Sequence, residues 1–496
     1  MELKNNNRGW LKPSESLSQR TIRGGIWVFA IRIASRLFGL VRTVILARLL
    51  APKDFGLMGI ALLAIATLDT LSQTGFNIAL IQKKRNTEEY LDTAWTVQVI
   101  RGIVLCGILL AAAPLLAAFF DTPKAAAIIR VIAVAELIKS ITNIGVVYFQ
   151  KELEFNKMFV YQLSATVADL SVAISAALIL RSVWALVFGL LARHFVSCII
   201  SYVIHPFRPR VKMDLRKSRE LFDFGKWIFV SSILLFLITK GDDIFVGKLL
   251  GVTALGLYQM AYMLSNLPAT EITHVISRVT FPAYSKLQDD LPKLREAYIK
   301  VLQLTAFISI PIAGGIFVLA PDFTQIFLGG KWMPIVPTMQ ALCIFGAIRS
   351  INATLGPIFE GVGKPEISTK LQFIQLILLA ILIYPLSIRW GMLGVSLALI
   401  FSILIAGLVG YYIVIKTTKC STRNFCKMIV LPLINTPIMV SSILLLKIYW
   451  TNSVGIPEFF LFVGIGVLIY FGMTYLFDRF FGYGIRTTVK ESLASF

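Results

Sequence analysis

Residues 24–46 read Gly24-Gly25-Ile26-Trp27-Val28-Phe29-Ala30-Ile31-Arg32-Ile33-Ala34-Ser35-Arg36-Leu37-Phe38-Gly39-Leu40-Val41-Arg42-Thr43-Val44-Ile45-Leu46. A bilayer core takes about 20 apolar residues per helix, so the stretch is long enough to span one. It also holds three arginines, and each costs about 2.5–3.5 kcal/mol at the centre of a span. Such charge must face a partner or a water-filled cavity. At about 100° per residue, Arg32, Ser35, Arg36, Gly39, Arg42 and Thr43 share an arc of roughly 120°. Ile33, Ala34, Leu37, Val41 and Val44 form the opposite, lipid-facing side. One reading is an anion-lined cavity wall. The other is inter-helix salt bridges with snorkelling at the ends. Three arginines exceed what one span needs for bridges, which favours the cavity.

The rest of the chain has the same character. It is 496 residues long, 57% hydrophobic and 15% charged, with a formal net charge of +21. Its mean hydropathy is +0.77. Soluble chains carry roughly 25% charged residues. Too few polar positions exist to cover a soluble surface, which excludes a disordered chain and argues against a nucleic-acid binder. The 20-residue ruler gives about fourteen spans: 24–46, 55–80, 93–119, 125–147, 160–180, 183–204, 224–249, 254–277, 299–320, 334–359, 367–388, 391–415, 428–449 and 457–477. The pair 160–180 and 183–204 is a helical hairpin. Pro114, Pro268, Pro311, Pro357, Pro432 and Pro437 fall within spans and permit kinks.

The connections alternate. Ala51 to Asp54, Asp121 to Lys124, Arg181-Ser182 and Arg389-Trp390 are short and carry little charge. Lys83 to Arg85, Arg208 to Arg219, Lys286 to Lys300 and Lys416 to Lys427 are basic. About 30 Lys and Arg fall on the second side and about 8 on the first, so the positive-inside rule places both termini in the cytoplasm. Arg32 and Arg36 interrupt the first apolar run, which reads as a retained helix rather than a cleaved signal. The outer loops are too short to fold as a domain. The five cysteines are scattered, and no Cys/His group has metal-ligand spacing. No metal and no cofactor are expected.

A repeat runs through the chain at an offset of 200 residues. Gly25-Ile26-Trp27-Val28-Phe29 matches Gly225-Lys226-Trp227-Ile228-Phe229. Ala47 to Leu50 matches Gly247 to Leu250, and Gly56-Leu57 matches Gly256-Leu257. Six spans separate the copies, so both enter the membrane from the same side. The expected architecture is an all-α polytopic membrane protein. It has a six-helix lobe over 1–204, a basic cytoplasmic linker over 205–223 and a parallel six-helix lobe over 224–415. Two extra helices and a tail follow over 416–496.

Other spans carry polar stripes. Asp69, Gln73 and Asn77 share a face, as do Glu136, Lys139, Ser140 and Asn143. Glu136 with Lys139 reads equally as a structural pair. Gln162, Thr166 and Asp169 follow, then Ser232, Thr239, Lys240 and Asp243, with Asp242 aimed elsewhere. Tyr262, Asn266, Thr270, His274 and Arg278 recur at helical spacing. His274 reads as a packed histidine rather than a proton carrier. Asp242-Asp243 lies inside a span with no soluble domain, which argues against a glycosyltransferase metal motif.

Ser35 to Arg42, followed by Ala47-Arg48, resembles the first helix of the lipid II flippases of the multidrug/oligosaccharidyl-lipid/polysaccharide (MOP) exporter superfamily. Leu46 to Gly56, Gly75 to Gln82, Gly256 to Tyr262 and Ile276 to Ser285 are similar to its polysaccharide branch. That branch holds the Wzx-type O-antigen, colanic-acid and teichuronic-acid exporters. The resemblance covers nearly the whole chain. It implies the MOP flippase fold in the cytoplasmic (inner) membrane. It also implies flipping of undecaprenyl-diphosphate-linked oligosaccharides for surface polysaccharide synthesis. Arg36 and Arg42 match cavity arginines needed for activity. In lipid II flippases an acid usually follows the second of these; here Thr43 stands there, so ion coupling would pass to Asp69 or Asp243.

On this reading Arg32, Arg36, Arg42, Lys240 and Arg278 bind the diphosphate, arginine by paired hydrogen bonds. Lobe rocking gives alternating access, and spans 428–477 offer a groove for the prenyl tail. No phosphate-binding Gly-x4-Gly-Lys loop implies ATP. Expected partners are the lipid-linked oligosaccharide (a polyprenyl diphosphate), membrane lipids and polysaccharide polymerase machinery, with no nucleic acid. An enzyme would need a large outer loop, and none is expected. The competing readings are a multidrug cation antiporter of the same superfamily and a non-transporting component of a synthesis complex. The cationic stripe argues against the antiporter.

Overall fold

The computed structural model describes residues 17–72, 88–152, 154–212, 233–450, 454–481 and 483–485. Within them the chain is helix and connections, with no strand. The long helices are α1 (Leu17–Leu49), α2 (Pro52–Leu71), α3 (Glu88–Phe119), α4 (Lys124–Ser140), α5 (Phe155–Leu180) and α6 (Trp184–Ile204). Then follow α7 (233–249), α8 (Val252–Leu287), α9 (Leu291–Phe323) and α10 (Val336–Asn352). The last are α11 (Leu355–Gly361), α12 (Pro365–Thr418), α13 (Thr422–Tyr449) and α14 (Ile456–Phe481). Among the described residues, nine helical stretches are long and apolar enough to cross a membrane. Their many exposed leucines, isoleucines and phenylalanines suit a lipid surround, where no water competes for the backbone.

Several helices depart from the expected limits, each for a local reason. The span expected over 125–147 ends at Ser140. Asn143 adopts an extended backbone, and its side-chain oxygen accepts from the Gly145 N–H to start a short 3-10 turn. Asn143 therefore leaves the face of Glu136 and Lys139. The span expected over 334–359 breaks at Ala353-Thr354 between α10 and α11. The spans expected over 367–388 and 391–415 run on as α12, broken only at Gly391 (φ 55°, ψ −132°). That backbone favours glycine, and the reversal sits where the Arg389-Trp390 connection was read. The hairpin of α5 and α6 turns through Arg181 in the left-handed region (φ 44°). Gln73, Asn77, Lys83 to Arg85, Ser232 and the Gly225 to Phe229 copy lie outside the described residues, as do the side chains of His274 and Arg278.

The chain forms two compact units. The first holds residues up to Leu50, Ala64–Ala118 and Pro123–Ser231. Its basic end is latched by two backbone donors and one side-chain amide. The Arg210 N–H donates to Asp92 Oδ1 (2.8 Å), the Lys212 N–H to Thr96 Oγ1 (3.0 Å), and Asn143 Nδ2 to the Phe207 carbonyl (2.7 Å). His205 packs among Tyr148, Phe149 and Phe207, and its Nδ1 accepts from the Phe207 N–H (3.1 Å). Burial, then the nearby Lys157 charge, holds its pKa below the usual histidine value.

The second unit holds Ala51–Leu63, Phe119–Thr122 and Ser232–Phe496. Here the first turns of α2 and α8 cross at glycine. A Cβ on Gly56 would lie 1.8 Å from the Val252 carbonyl oxygen, and one on Gly256 would lie 2.0 Å from the Pro52 carbonyl oxygen. Pro52 and Val252, like Gly56 and Gly256, are 200 residues apart. The two copies of the repeat thus touch through equivalent residues, each glycine under the other's backbone. Gly59 continues the contact, with Gln259 Oε1 2.2 Å from where its Cβ would be.

Gly56→Ala and Gly256→Ala should each force the helices apart. The expected cost is about 1–3 kcal/mol of overpacking, read as a lower Tm of the purified protein, whereas Gly39→Ala, which meets no neighbour, leaves Tm unchanged. A second expectation concerns pH. Protonation removes the Nδ1 acceptor of His205, whose folded pKa is depressed. Its contribution is complete above about pH 6.5, the unfolded value, and is lost as pH falls through the folded pKa. His205→Asn should flatten that acid limb of a Tm–pH curve.

Candidate functional site

In the first unit the polar residues of the spans form two ion-pair clusters. Arg42 projects from α1 to Asp169 on α5. Its Nε donates to Oδ1 at 3.0 Å and Nη2 lies 2.9 Å from the same oxygen. Arg193 on α6 approaches Asp169 Oδ2 at 3.9 Å. Asp169 is buried, whereas Arg42 is partly open and Arg193 is half exposed. Gly189 makes room for the carboxylate, since a Cβ there would lie 2.6 Å from Asp169 Oδ1. Two guanidinium groups therefore share one carboxylate. Arg32 is half-buried and Arg36 exposed along the same helix.

The second cluster centres on Asp69 of α2. Arg101 from α3 reaches its Oδ1 at 2.6 Å and also donates to the Ser72 carbonyl and hydroxyl. Lys139 from α4 lies 3.2 Å from Oδ2 and 2.6 Å from Glu136 Oε1. Glu136 and Lys139 are thus a structural pair, and Asp69 is held by two cations. Thr43, the residue in the expected acid position, is buried.

In the second unit Lys240 and Asp243 pair along one turn of α7 at 3.1 Å. Asp242 points the other way, as its spacing implied, and accepts from the Tyr258 hydroxyl at 2.7 Å. Its Oδ1 is buried with no partner among the described residues. Lys447 of α13 pairs with Asp322 of α9. Tyr262 and Thr270 of the α8 stripe both meet Arg349 of α10. Its Nη1 donates to the Tyr262 hydroxyl (3.1 Å) and its Nη2 to Thr270 Oγ1 (2.8 Å). Among the described residues no group of three or more His, Cys, Asp and Glu could hold a metal ion.

Arg101, Arg193, Arg349 and the Lys447–Asp322 pair were not among the sequence candidates. The signal was present: each charge lies in an apolar run, where the insertion cost already marks it. The stripe arguments looked for repeats along one helix, whereas Arg101, Arg193, Arg349 and Lys447 are each the one charge in their expected span, and Asp322 lies just beyond its own.

The polysaccharide biosynthesis protein family matches residues 45–337, more than half of the chain. The chain belongs to that family. Over 435 residues this family member is 28% identical to the lipopolysaccharide biosynthesis protein WzxC of Escherichia coli (strain K12), covering 86% of this chain and 88% of the relative. The lipid II flippase MurJ, in an inward closed conformation, superposes with a TM-score of 0.71 at 17% identity, over 92% of this chain and 99% of that one. An inward-facing multidrug resistance MATE family transporter of the MOP superfamily gives 0.60 at 16% identity, over 78% and 96%. At these identities the likeness concerns fold. The chain is an all-α polytopic membrane protein of about 14 helices, with the fold that these two transporters share.

The Arg42–Asp169 contact predicts strong coupling. Arg42→Gln and Asp169→Asn should each lower Tm, the second variant leaving two cations without their carboxylate. The double variant should recover part of the loss, a coupling on the order of 1–3 kcal/mol in a double-mutant cycle. Strict additivity would show that the contact contributes nothing.

Proposed function

We propose that this protein flips polyprenyl-diphosphate-linked oligosaccharides across the cytoplasmic membrane for surface polysaccharide synthesis. The observation that carries the reading is the cationic face of α1. Arg32, Arg36 and Arg42 lie on one arc of an intramembrane helix, and Asp169 holds Arg42 while a second guanidinium shares that carboxylate. A diphosphate of charge about −2 suits such a surface, because arginine meets phosphate oxygens through paired donors. The family match and the resemblance to WzxC add polysaccharide synthesis as the setting.

In the proposed cycle the α1 arginines take the diphosphate, and Lys240 and Arg278 contribute charge from the second half of the chain. Rocking of the two halves gives alternating access. Asp243, paired with Lys240, and Asp69, paired with Arg101 and Lys139, are the candidates for ion coupling, since a passing cation or proton would have to compete with those partners. The chemistry asked of the protein is binding and movement, not bond cleavage. Both termini face the cytoplasm on this reading, and the polymerase that consumes the flipped unit is the expected neighbour.

The test is reconstitution in liposomes with a labelled short-chain prenyl-diphosphate oligosaccharide. The parent protein should move the label between leaflets without hydrolysing it. Arg36→Ala, made at normal abundance, should lower the rate at least about tenfold, the loss expected when one charge-assisted contact of about 1.5–3 kcal/mol goes. Parent-like transport by both Arg36→Ala and Arg42→Lys would overturn the reading.

A further inference from the structure

Inside the second unit, a recess of about 340 Å³ lies between α8, α10, α11 and the two passes of α12. The volume is that of a small-molecule site. It extends to the Lys364 turn, where Glu360 and Ser368 form part of its wall. That turn lies beside the end of α8, where a Cβ on Gly361 would fall 2.8 Å from Tyr284 Cβ, close to the basic Lys286 connection. The positive-inside rule assigns this end to the cytoplasm.

Its polar lining is unusual in what it leaves unused. Thr273 Oγ1 and Ser368 Oγ are buried and have no hydrogen-bond partner among the described residues. Gln372 and Gln375, one turn apart on α12, line the recess with no hydrogen bond among the described residues. Arg349 lines it with only neutral oxygens, those of Tyr262 and Thr270, as partners among the described residues. A guanidinium has five N–H donors, so several remain. Asn352 is different. It is fixed as a wall by the Ile403 carbonyl and the Tyr411 hydroxyl, and Gly407 leaves room for it. Buried polar groups in native proteins are overwhelmingly paired, so the two unpaired hydroxyls, with the half-buried Gln372 and Gln375 amides beside them, call for an occupant with many oxygens.

We infer that this recess binds a sugar of the lipid-linked substrate's head group. A pyranose offers hydroxyls that both donate and accept. The two glutamine amides match that with a carbonyl and an NH2 each. The Thr273 and Ser368 hydroxyls add two further donor-acceptor groups, and Arg349 donates to the sugar's oxygens. The assignment rests on the flippase reading, and it separates the substrate's parts: the α1 arginines take the diphosphate, and this recess takes sugar.

The experiment uses the purified full chain and two probes, a short-chain prenyl diphosphate and the same lipid carrying a disaccharide. The parent should bind the disaccharide-bearing probe more tightly than the bare one. Gln372→Leu/Gln375→Leu should weaken binding of the disaccharide-bearing probe about tenfold and leave the bare probe unchanged. Arg349→Lys should do the same to a smaller degree. Equal loss for both probes, or no loss for either, overturns the assignment. So does a parent that binds the two probes equally. A parent that binds neither overturns the flippase reading, and this site with it.

Discussion

A guanidinium placed in hydrocarbon has to find an anion, and Arg42 finds Asp169. The contact ties α1 to α5, and Gly189 on α6 is small because the carboxylate needs its space. The same requirement shapes the other clusters. Asp69 draws Arg101 and Lys139 together from two further helices, and Lys447 meets Asp322 between α9 and α13. In water such pairs would contribute little. In a membrane interior they decide which helix faces inward, because an unpartnered charge has nowhere else to go.

Much of this was legible in the sequence. The α5–α6 hairpin, the turn near Arg389-Trp390 and the opposite directions of Asp242 and Asp243 follow from apolar run length and helical angle. The Arg42 stripe was legible as a stripe, but not its partner. Asp169 lies 127 residues away on another helix, and pairing across helices depends on packing that periodicity does not encode. Arg349 was missed for the opposite reason. It is alone on α10, and its meaning comes from Tyr262 and Thr270 on α8. Helix ends were misjudged where a side chain rather than hydropathy sets the boundary, as Asn143 does beyond Ser140.

The charges within the spans do not all serve one purpose. Lys139 is matched by Glu136 on its own helix and by Asp69 on α2, and the second contact braces the two helices. Arg42 and Arg193 share a single carboxylate, so their cluster keeps positive character. Among the described residues Arg349 is bonded only to neutral hydroxyls. This gradient, from matched pairs to a cation without a carboxylate, separates groups that brace the bundle from groups that can greet a solute. Net charge alone would have treated them alike.

The crossing of Gly56 and Gly256 carries a historical consequence. After a gene segment duplicates, its two copies are free to drift wherever each packs only against its own neighbours. Where the copies touch each other, a change in one is a change in the other's environment, and the pair must be inherited together. Much of the two segments no longer matches, yet Gly-Leu stands in both copies at their one crossing. The crossing is one of the places where the repeat is still readable, beside Trp27 with Trp227 and Leu49-Leu50 with Leu249-Leu250.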